Sequence, residues 1–450
     1  MNSKGKKLLI CSLTLLLAVT GVKAQGTSGA STMKMDITLD KAIEIALAEN
    51  PTIKVADKEI ELKKIADQEA WQTLLPEVSV NGSLQHTILA AVMKLNDNEF
   101  KMGKDGTNTV AGVATLNMPL FAPAVYQTMS LTKTDIKLAQ EKARSSRLDL
   151  VNQVTKAYYQ MLLAQDSYKV MEQSYNISKE NYDIVNAKYK QGAVSEYDQI
   201  SAEVQMRGMS SSLVSTETAL SLAQLQLKVL MGITADVKLN INDKLENYEQ
   251  NLVLANVANN ESALENNSAI KQIELNRELL EKSRKILKTG FMPTVGFQLT
   301  GQYQSLYNNN FNLFDYSWSP SASFALSVTV PIFKASNFTK LKSNKIQIST
   351  LEDTRINTVR QLNMAMDSYA KNMASSIAQV NSNKQAVEQA NKAVSIASKR
   401  YEIGGGTILE LNQSEVALTQ AKLTYNQSIY NYLTNKADLD YTLGRENHIR

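Results

Sequence analysis

Two stretches of the chain carry apolar residues every seven positions, in matching phase. In the first, Val154, Met161, Tyr168, Tyr175, Tyr182 and Tyr189 share one heptad position, with Ala157, Ala164, Met171 and Val185 at the partner position. In the second, Met366, Met373, Val380, Val387, Val394 and Tyr401 fill the equivalent places, with Tyr369, Ala390 and Ala397 as partners. A sustained seven-residue spacing keeps one seam facing a neighbour as helices supercoil, so it predicts coiled-coil packing. Nothing interrupts either stretch. Glycine is absent from Pro123 to Gln191 and from Ile332 to Ile403, and proline is absent between Ala124 and Met292 and after Pro331. At 1.5 Å per residue, each permits a helix of roughly 100 Å. Gly192 and Gly404 then offer a break at which the chain reverses. A second helical run is expected after each, from about Ser195 to Leu230 and from about Thr407 to Leu443. Each half also opens on a helix, Leu39 to Leu74 and Ala263 to Phe291, with Thr38 or Asp40 as the first cap candidate. Heptads alone specify a long coiled coil and nothing about what it does.

Between the helices the period changes to two. Val78, Val80, Gly82 and Leu84 alternate with Ser79, Asn81, Ser83 and Gln85, and Val295, Phe297, Leu299, Gly301 and Tyr303 alternate with Gly296, Gln298, Thr300 and Gln302. Val110, Gly112, Ala114, Leu116 and Met118 form another such face, as do Ala322, Phe324, Leu326, Val328 and Val330. The pattern predicts four strands, at about 77–87, 109–118, 294–304 and 321–331, each apolar on one face and small or polar on the other. The loops between them are Thr87 to Asn108 and Ser305 to Pro320. The second holds Tyr307, Phe311, Phe314, Tyr316 and Trp318, which suit a membrane interface. An amphipathic hairpin on a soluble core is the plainer alternative.

The helix and strand patterns are written twice. Tyr189, Gly192, Ser195, Asp198 and Glu203 recur 212 residues later as Tyr401, Gly404, Thr407, Glu410 and Glu415; Pro119 falls on Pro331, and Met231-Gly232 on Leu443-Gly444. Upstream the offset is 217, carrying Asn50 onto Asn267 and Leu75-Pro76 onto Met292-Pro293, so the first copy is five residues longer between Pro76 and Pro119. A repeat of this length means two homologous halves, not a solenoid of short units.

Composition refines this picture. Lys4, Lys6 and Lys7 precede the apolar run Leu8 to Val19, and Val22-Lys23-Ala24 offers small residues at cleavage positions, as in a secretory signal peptide. Cys11 is preceded by only three apolar residues of that run and followed by more, which disfavours a lipid-modified cysteine. Cleavage after Ala24 would remove four lysines, no acidic residue and the only cysteine, taking the net charge of +4 to zero. Nucleic-acid binding therefore has little support, and a disulfide framework is excluded. No other run reaches the eighteen or so apolar residues of a spanning helix, so any membrane crossing falls to strands. With two histidines, His86 and His448, no metal site, catalytic triad or phosphate loop stands out. Neither an enzyme nor a cofactor is expected. The organisation expected is residues 1–24 as signal peptide, 25–36 as a flexible segment, 37–232 and 263–444 as the two repeats, 233–262 between them and 445–450 as a tail.

Four strands cannot close a barrel, and bacterial outer-membrane barrels need at least eight. Two copies give eight strands around a filled interior; three give twelve and leave a lumen. Three chains of two repeats would also give the helical part approximate sixfold symmetry.

Over essentially the whole mature chain these elements resemble the TolC family of outer-membrane efflux and secretion channels. The likeness rests on Leu39-Asp40-Lys41-Ala42-Ile43 through Asn50-Pro51, the strand-opening Pro76 and Pro293, the Pro-Leu-Phe and Pro-Ile-Phe junctions at Pro119 and Pro331, and the paired Tyr-x-x-Gly turns. The resemblance implies an α+β, mostly helical fold: a homotrimer with a twelve-stranded outer-membrane barrel, a periplasmic tunnel of helical hairpins, and a mixed equatorial region near Ile233 to Asn260 and the C-terminus. It implies a periplasmic adaptor and an inner-membrane RND, ABC or MFS transporter as partners. It further implies that Gly192, Ala193, Val194, Gly404 and Gly405 form adaptor-contacting tip turns, that Tyr401 bonds to Asp198 at a gate, and that Glu410 lines a constriction. Two positions depart from the family pattern: Gly406 replaces a gate arginine and Gln413 a second acidic ring. The plain alternative for each carboxylate is a solvated helix residue or cap. For the whole chain it is a soluble periplasmic coiled-coil adaptor or structural protein.

Overall fold

The computed structural model describes residues 34–95, 98–234, 236–254 and 261–446. The expected signal peptide, residues 25–33 of the next segment, residues 255–260 and His448 lie outside them.

The two uninterrupted stretches are single helices of 68 residues, α3 (Pro123–Lys190) and α6 (Ala335–Glu402), each roughly 100 Å long. Pro123 opens α3 at a position where its missing N–H costs nothing. Each long helix turns back into a shorter one, α4 (Glu196–Met231) after α3 and α7 (Ile408–Thr442) after α6. Gly192 and Gly404 take φ of 72° and 76°, the left-handed conformation that only glycine adopts without strain. The hairpins pack on each other chiefly through α3 against α7.

The heptad residues Val154, Met161, Met171 and Val185 of α3, and Met366, Met373, Val380 and Ala397 of α6, are buried. Tyr168, Tyr175 and Tyr182 are half-buried and Tyr189 is exposed, so the seam loosens toward the turns. The main core instead lies around the middle of the hairpins, where Tyr158, Met161, Leu162, Leu227, Met231, Leu245, Leu264, Met366, Ile429 and Tyr432 pack together.

The opening helix expected over Leu39 to Leu74 is two helices, α1 (Leu39–Glu49) and α2 (Pro51–Gln72). Pro51 disfavours helical geometry at Asn50, which is extended at ψ 126°. In the second half a 3-10 turn (Glu261–Leu264) precedes α5 (Ser268–Thr289), and Asn267 takes the same extended geometry. Both asparagines cap the helix that follows and reach across to the other end of their repeat. The Asn50 amide donates to Leu230 O at 2.8 Å, and the Asn267 amide to Thr442 O at 2.7 Å. Gly232 and Gly444, both at positive φ, lie directly against these corners. The same contact thus recurs in both repeats and closes each half on itself.

The strands form one antiparallel sheet in the order β2 (Glu77–Thr87), β5 (Thr107–Phe121), β7 (Thr294–Asn308), β8 (Ser319–Thr329). Its register aligns Val78, Leu116, Leu299 and Phe324 in one row and Ser79, Thr115, Thr300 and Ser323 in the next. The sheet is therefore apolar on one face and polar on the other, and its outer strands β2 and β8 have no further partner among the described residues. Tyr303 stacks on Trp318 at 5.5 Å where the apolar face ends.

Several junctions differ from the expected bounds. Pro119 lies inside β5, which runs on to Phe121 through a register shift, as a residue with no N–H to donate requires. The last strand begins earlier than expected, at Ser319, because Pro320 is tolerated next to the start of an edge strand; Pro331 follows its end. The loop from Thr87 to Asn108 contains a second hairpin, β3 (Ala91–Leu95) and β4 (Asn98–Met102). At the N-terminal boundary, β1 (Lys34–Asp36) pairs in parallel with β6 (Lys238–Asn240), so the end of the expected flexible segment is tied to the middle of the chain.

The inter-repeat segment is a strap across the core. Its 3-10 turn, Leu245–Asn251, is held by three long helices: Asp166 of α3 accepts from Leu245 N at 3.0 Å, while Lys384 of α6 and Tyr425 of α7 reach Glu249 at 2.9 and 2.7 Å. Tyr432 accepts from Val253 N and donates to Val253 O, both at 2.9 Å.

Candidate functional site

The two turns lie together at the end of the hairpins remote from the sheet. A small separate core joins them, made of Val185, Ala202, Ala397, Ile408 and Leu411, with Tyr182, Val194 and Tyr401 packed against it. Helix α4 starts on a capping box in which Ser195 Oγ accepts from Asp198 N at 3.2 Å and the Asp198 carboxylate accepts from Ser195 N at 3.3 Å. Thr407 caps α7 by accepting from Glu410 N at 3.2 Å. These caps fix where each acidic side chain starts.

The expected Tyr401–Asp198 hydrogen bond is not formed within the chain. Asp198 is turned back onto its own cap, with Ser195 Oγ donating to it at 2.8 Å, and the Tyr401 hydroxyl is buried without a partner among the described residues. Burial, with a smaller contribution from the nearby Asp198 charge, raises the Tyr401 pKa. The ring is instead met by Lys188 of the first hairpin, whose Nζ lies 5.3 Å from its centroid.

Glu410 forms an ion pair with Arg400, Nη1 to Oε2 at 3.4 Å, and both side chains are about half exposed. Arg400 also donates to Gly405 O at 3.0 Å. Gly406 lies under its stem, where an added Cβ would be 3.1 Å from Arg400 Cβ. Gln413 is exposed and lines a cleft of about 420 Å³ between α4 and α7, together with Ile200, Val204, Leu409 and Val416. Of the expected tip residues, Tyr401, Val194, Gly405, Gly406 and Glu410 are thus in or beside these contacts; Gly192 and Gly404 make the turns; and Ala193 N bonds to Lys188 O at 2.9 Å.

Further along the same α3–α7 contact, Asn181 donates to Glu415 Oε1 at 2.7 Å, and Ser174 and Thr419 hydroxyls are 2.7 Å apart. Glu415 is buried, its other oxygen has no partner among the described residues, and burial raises its pKa. Its counterpart Glu203 is held below the usual carboxylate range, mainly by a hydrogen bond from Arg207. Lys188, Arg400 and Asn181 were not singled out from the sequence. The signal for the first two was present, because they are themselves 212 residues apart.

No helix among the described residues is long and apolar enough to cross a membrane, and no group of three or more metal-ligating side chains comes together. The part built to meet lipid is the amphipathic sheet. Leaving Val78, Val80, Leu84, Phe324, Leu326 and Val328 in water would forgo about 10 kcal/mol of burial free energy.

Comparison with known proteins agrees with this architecture. The chain is 21% identical over 427 residues to the outer membrane protein TolC of Salmonella enteritidis, covering 93% of this chain and 84% of that protein. Its fold superposes on the Campylobacter jejuni CmeC outer membrane channel with a TM-score of 0.71 at 17% identity, covering 96% of this chain and 95% of that one. It superposes on the open state of the Neisseria gonorrhoeae MtrE outer membrane channel with a TM-score of 0.70 at 17% identity, covering 93% of each. The model of the outer membrane efflux protein family matches residues 42–233 and again 260–445, once for each repeat, and the chain belongs to that family.

Proposed function

We propose that three copies of this chain form a passive exit duct, conducting drugs, other small molecules or proteins through the periplasm and across the outer membrane. The observation that carries this reading is the open four-stranded sheet. It has one apolar face, one polar face and two edges unpaired among the described residues, so it closes by edge pairing between chains. Three chains supply twelve strands, enough for a barrel with a lumen, and β8 of one chain meets β2 of the next. The polar face then lines the lumen, and the apolar face with its Tyr303–Trp318 stack faces lipid.

The helical hairpins continue the lumen as a tunnel, narrowed at the tip where Glu410 of each chain approaches the axis. Opening the tip requires the α3–α4 hairpin to part from the α6–α7 hairpin. The contacts to be broken are Lys188 on Tyr401, Asn181 with Glu415, Ser174 with Thr419, and the small core around Val185 and Ile408. In this reading the duct is passive, and the energy comes from an inner-membrane RND, ABC or MFS transporter joined through a periplasmic adaptor. The tip turns at Gly192 to Val194 and Gly404 to Gly405 are the surface offered to that adaptor. The whole constitutes a tripartite efflux or type I secretion system.

The test is reconstitution. Purified protein in a planar bilayer conducts ions, and crosslinking in detergent yields trimers. Silent bilayers together with a monomer by crosslinking would refute the proposal.

A further inference from the structure

Each tip turn holds one cation and one carboxylate at the offset of the repeat: Lys188 and Asp198 in the first, Arg400 and Glu410 in the second. The two sets are connected differently. In the first turn the carboxylate closes its own capping box, and the cation reaches across to the Tyr401 ring. In the second turn cation and carboxylate pair with each other at 3.4 Å.

The second arrangement is built around the arginine. Its guanidinium donates to Gly405 O at 3.0 Å, and Gly405 N in turn bonds to Arg400 O at 2.8 Å, so the side chain is held to its own turn. A Cβ at Gly406 would stand 3.1 Å from Arg400 Cβ and 3.3 Å from Tyr401 N, so glycine gives the arginine stem its room. Thr407 fixes the first turn of α7 and with it the base of Glu410.

We propose that Arg400 determines the ion selectivity of the tip by neutralising the Glu410 carboxylate of its own chain. This inference rests on the reading of the tip as the constriction of a conducting channel. An exposed pair of this kind contributes little to stability, so its consequence lies in the field at the pore. A carboxylate beside a guanidinium presents a dipole, whose field decays faster with distance than that of a bare charge. Three such pairs leave the constriction only weakly cation-selective. Removing the arginines exposes three uncompensated carboxylates.

The experiment is the reversal potential of reconstituted channels under a potassium chloride gradient, for the wild type, Arg400→Gln, Arg400→Lys, Glu410→Gln and the double Gln variant. Arg400→Gln raises the cation-to-anion permeability ratio about twofold or more near 0.1 M salt, and by less at 1 M, where screening is stronger. Arg400→Lys stays near the wild type, Glu410→Gln shifts the ratio toward anions, and the double variant returns toward the wild type. A conducting Arg400→Gln channel with unchanged selectivity overturns the inference and leaves the channel reading intact. A wild type that fails to conduct removes both. If Arg400→Gln does not assemble, an unchanged ratio in Glu410→Gln overturns the inference by itself.

Discussion

Replacing Gly444 by alanine tests whether the repeat closes each half on itself as the structure describes. At φ of 65° an alanine costs about 1 kcal/mol or more through its left-handed backbone. The same cost falls on its counterpart Gly232 at φ of 70°, so the comparison of the two variants cancels it. What remains is steric. The new Cβ would lie 2.2 Å from Asn266 O and 2.7 Å from Asn266 C, about 1 Å short of normal contact. At Gly232 the nearest atoms, the carbonyl group of Glu49, are 3.0 Å away. The Asn266–Asn267 backbone therefore has to move, whereas Glu49 need give only by tenths of an ångström. Moving Asn267 breaks its 2.7 Å bond to Thr442 O and its cap on Ala269 and Ile270. A lost N-cap is worth about 1 kcal/mol and a stranded buried carbonyl about 1–3 kcal/mol. Gly444→Ala should thus destabilise its corner by about 2 kcal/mol more than Gly232→Ala does, or about 30-fold in the local opening constant. Amide hydrogen exchange on the detergent-solubilised protein measures this directly, through segments 264–271 and 440–446 in one variant and 46–54 and 228–233 in the other. Equal exchange changes at the two corners, or no change at Ala269 and Ile270 in Gly444→Ala, would refute the reasoning.

Two further outcomes follow from buried polar groups on the helices. Burial holds the Glu415 carboxyl above its ordinary 4.5, and an acid whose folded pKa is raised adds stability that is present at low pH and lost as pH rises through the folded value. Corrected for intrinsic rates, exchange protection around residues 178–185 and 412–419 should fall as pH rises from acidic to neutral. Glu415→Gln keeps an acceptor for Asn181 and should flatten that profile; a wild-type profile already flat would refute the assignment. Tyr432→Phe removes the hydroxyl that bonds both backbone groups of Val253. Because Val253 is exposed and water replaces the bonds, the cost is about 1 kcal/mol, seen as roughly fivefold faster exchange in the 245–253 strap with the helices unchanged.

Much of the fold is legible because it is periodic. A seven-residue seam and a two-residue alternation are properties of side chains in order along the chain, and they located both 68-residue helices and the amphipathic sheet. What escaped depends on backbone pairing or on one residue overriding a pattern. Strands β1 and β6 are three residues each and meet through backbone bonds across some two hundred positions, with no side-chain pattern to announce them. Strands β3 and β4, five residues each, are too short for an alternation to emerge, and their loop read as irregular. Helical periodicity continues smoothly past Asn50, so the split at Pro51 needed the steric rule for the residue before proline. At the tip, Ser195-x-x-Asp198 is itself a capping-box signature, and that local preference is what the acid obeys in place of the longer reach to Tyr401. The Arg400–Glu410 pair needed only the offset of the repeat to be applied to cations as well as to acids.

Similarity and divergence between the copies divide structure from function. Asn50 with Gly232 and Asn267 with Gly444 make the same contacts twice, because closing a half on itself is a task that both halves share. At the tip the equivalent cations and carboxylates take different partners, since a turn that stacks on its neighbour cannot also pair its cation with its own acid. In the proposed trimer this breaks the approximate sixfold symmetry of the tunnel into a true threefold at its narrow end. Six identical turns would place six equivalent acids around the axis, at a repulsive cost that grows with every like-charge pair. Two unlike turns leave three acids folded into helix caps and three countered by arginine, so the tip can close without protonating a ring of carboxylates. In that trimer the duplication would supply the tube, and the differences between its copies would set the pattern of charge at its narrow end.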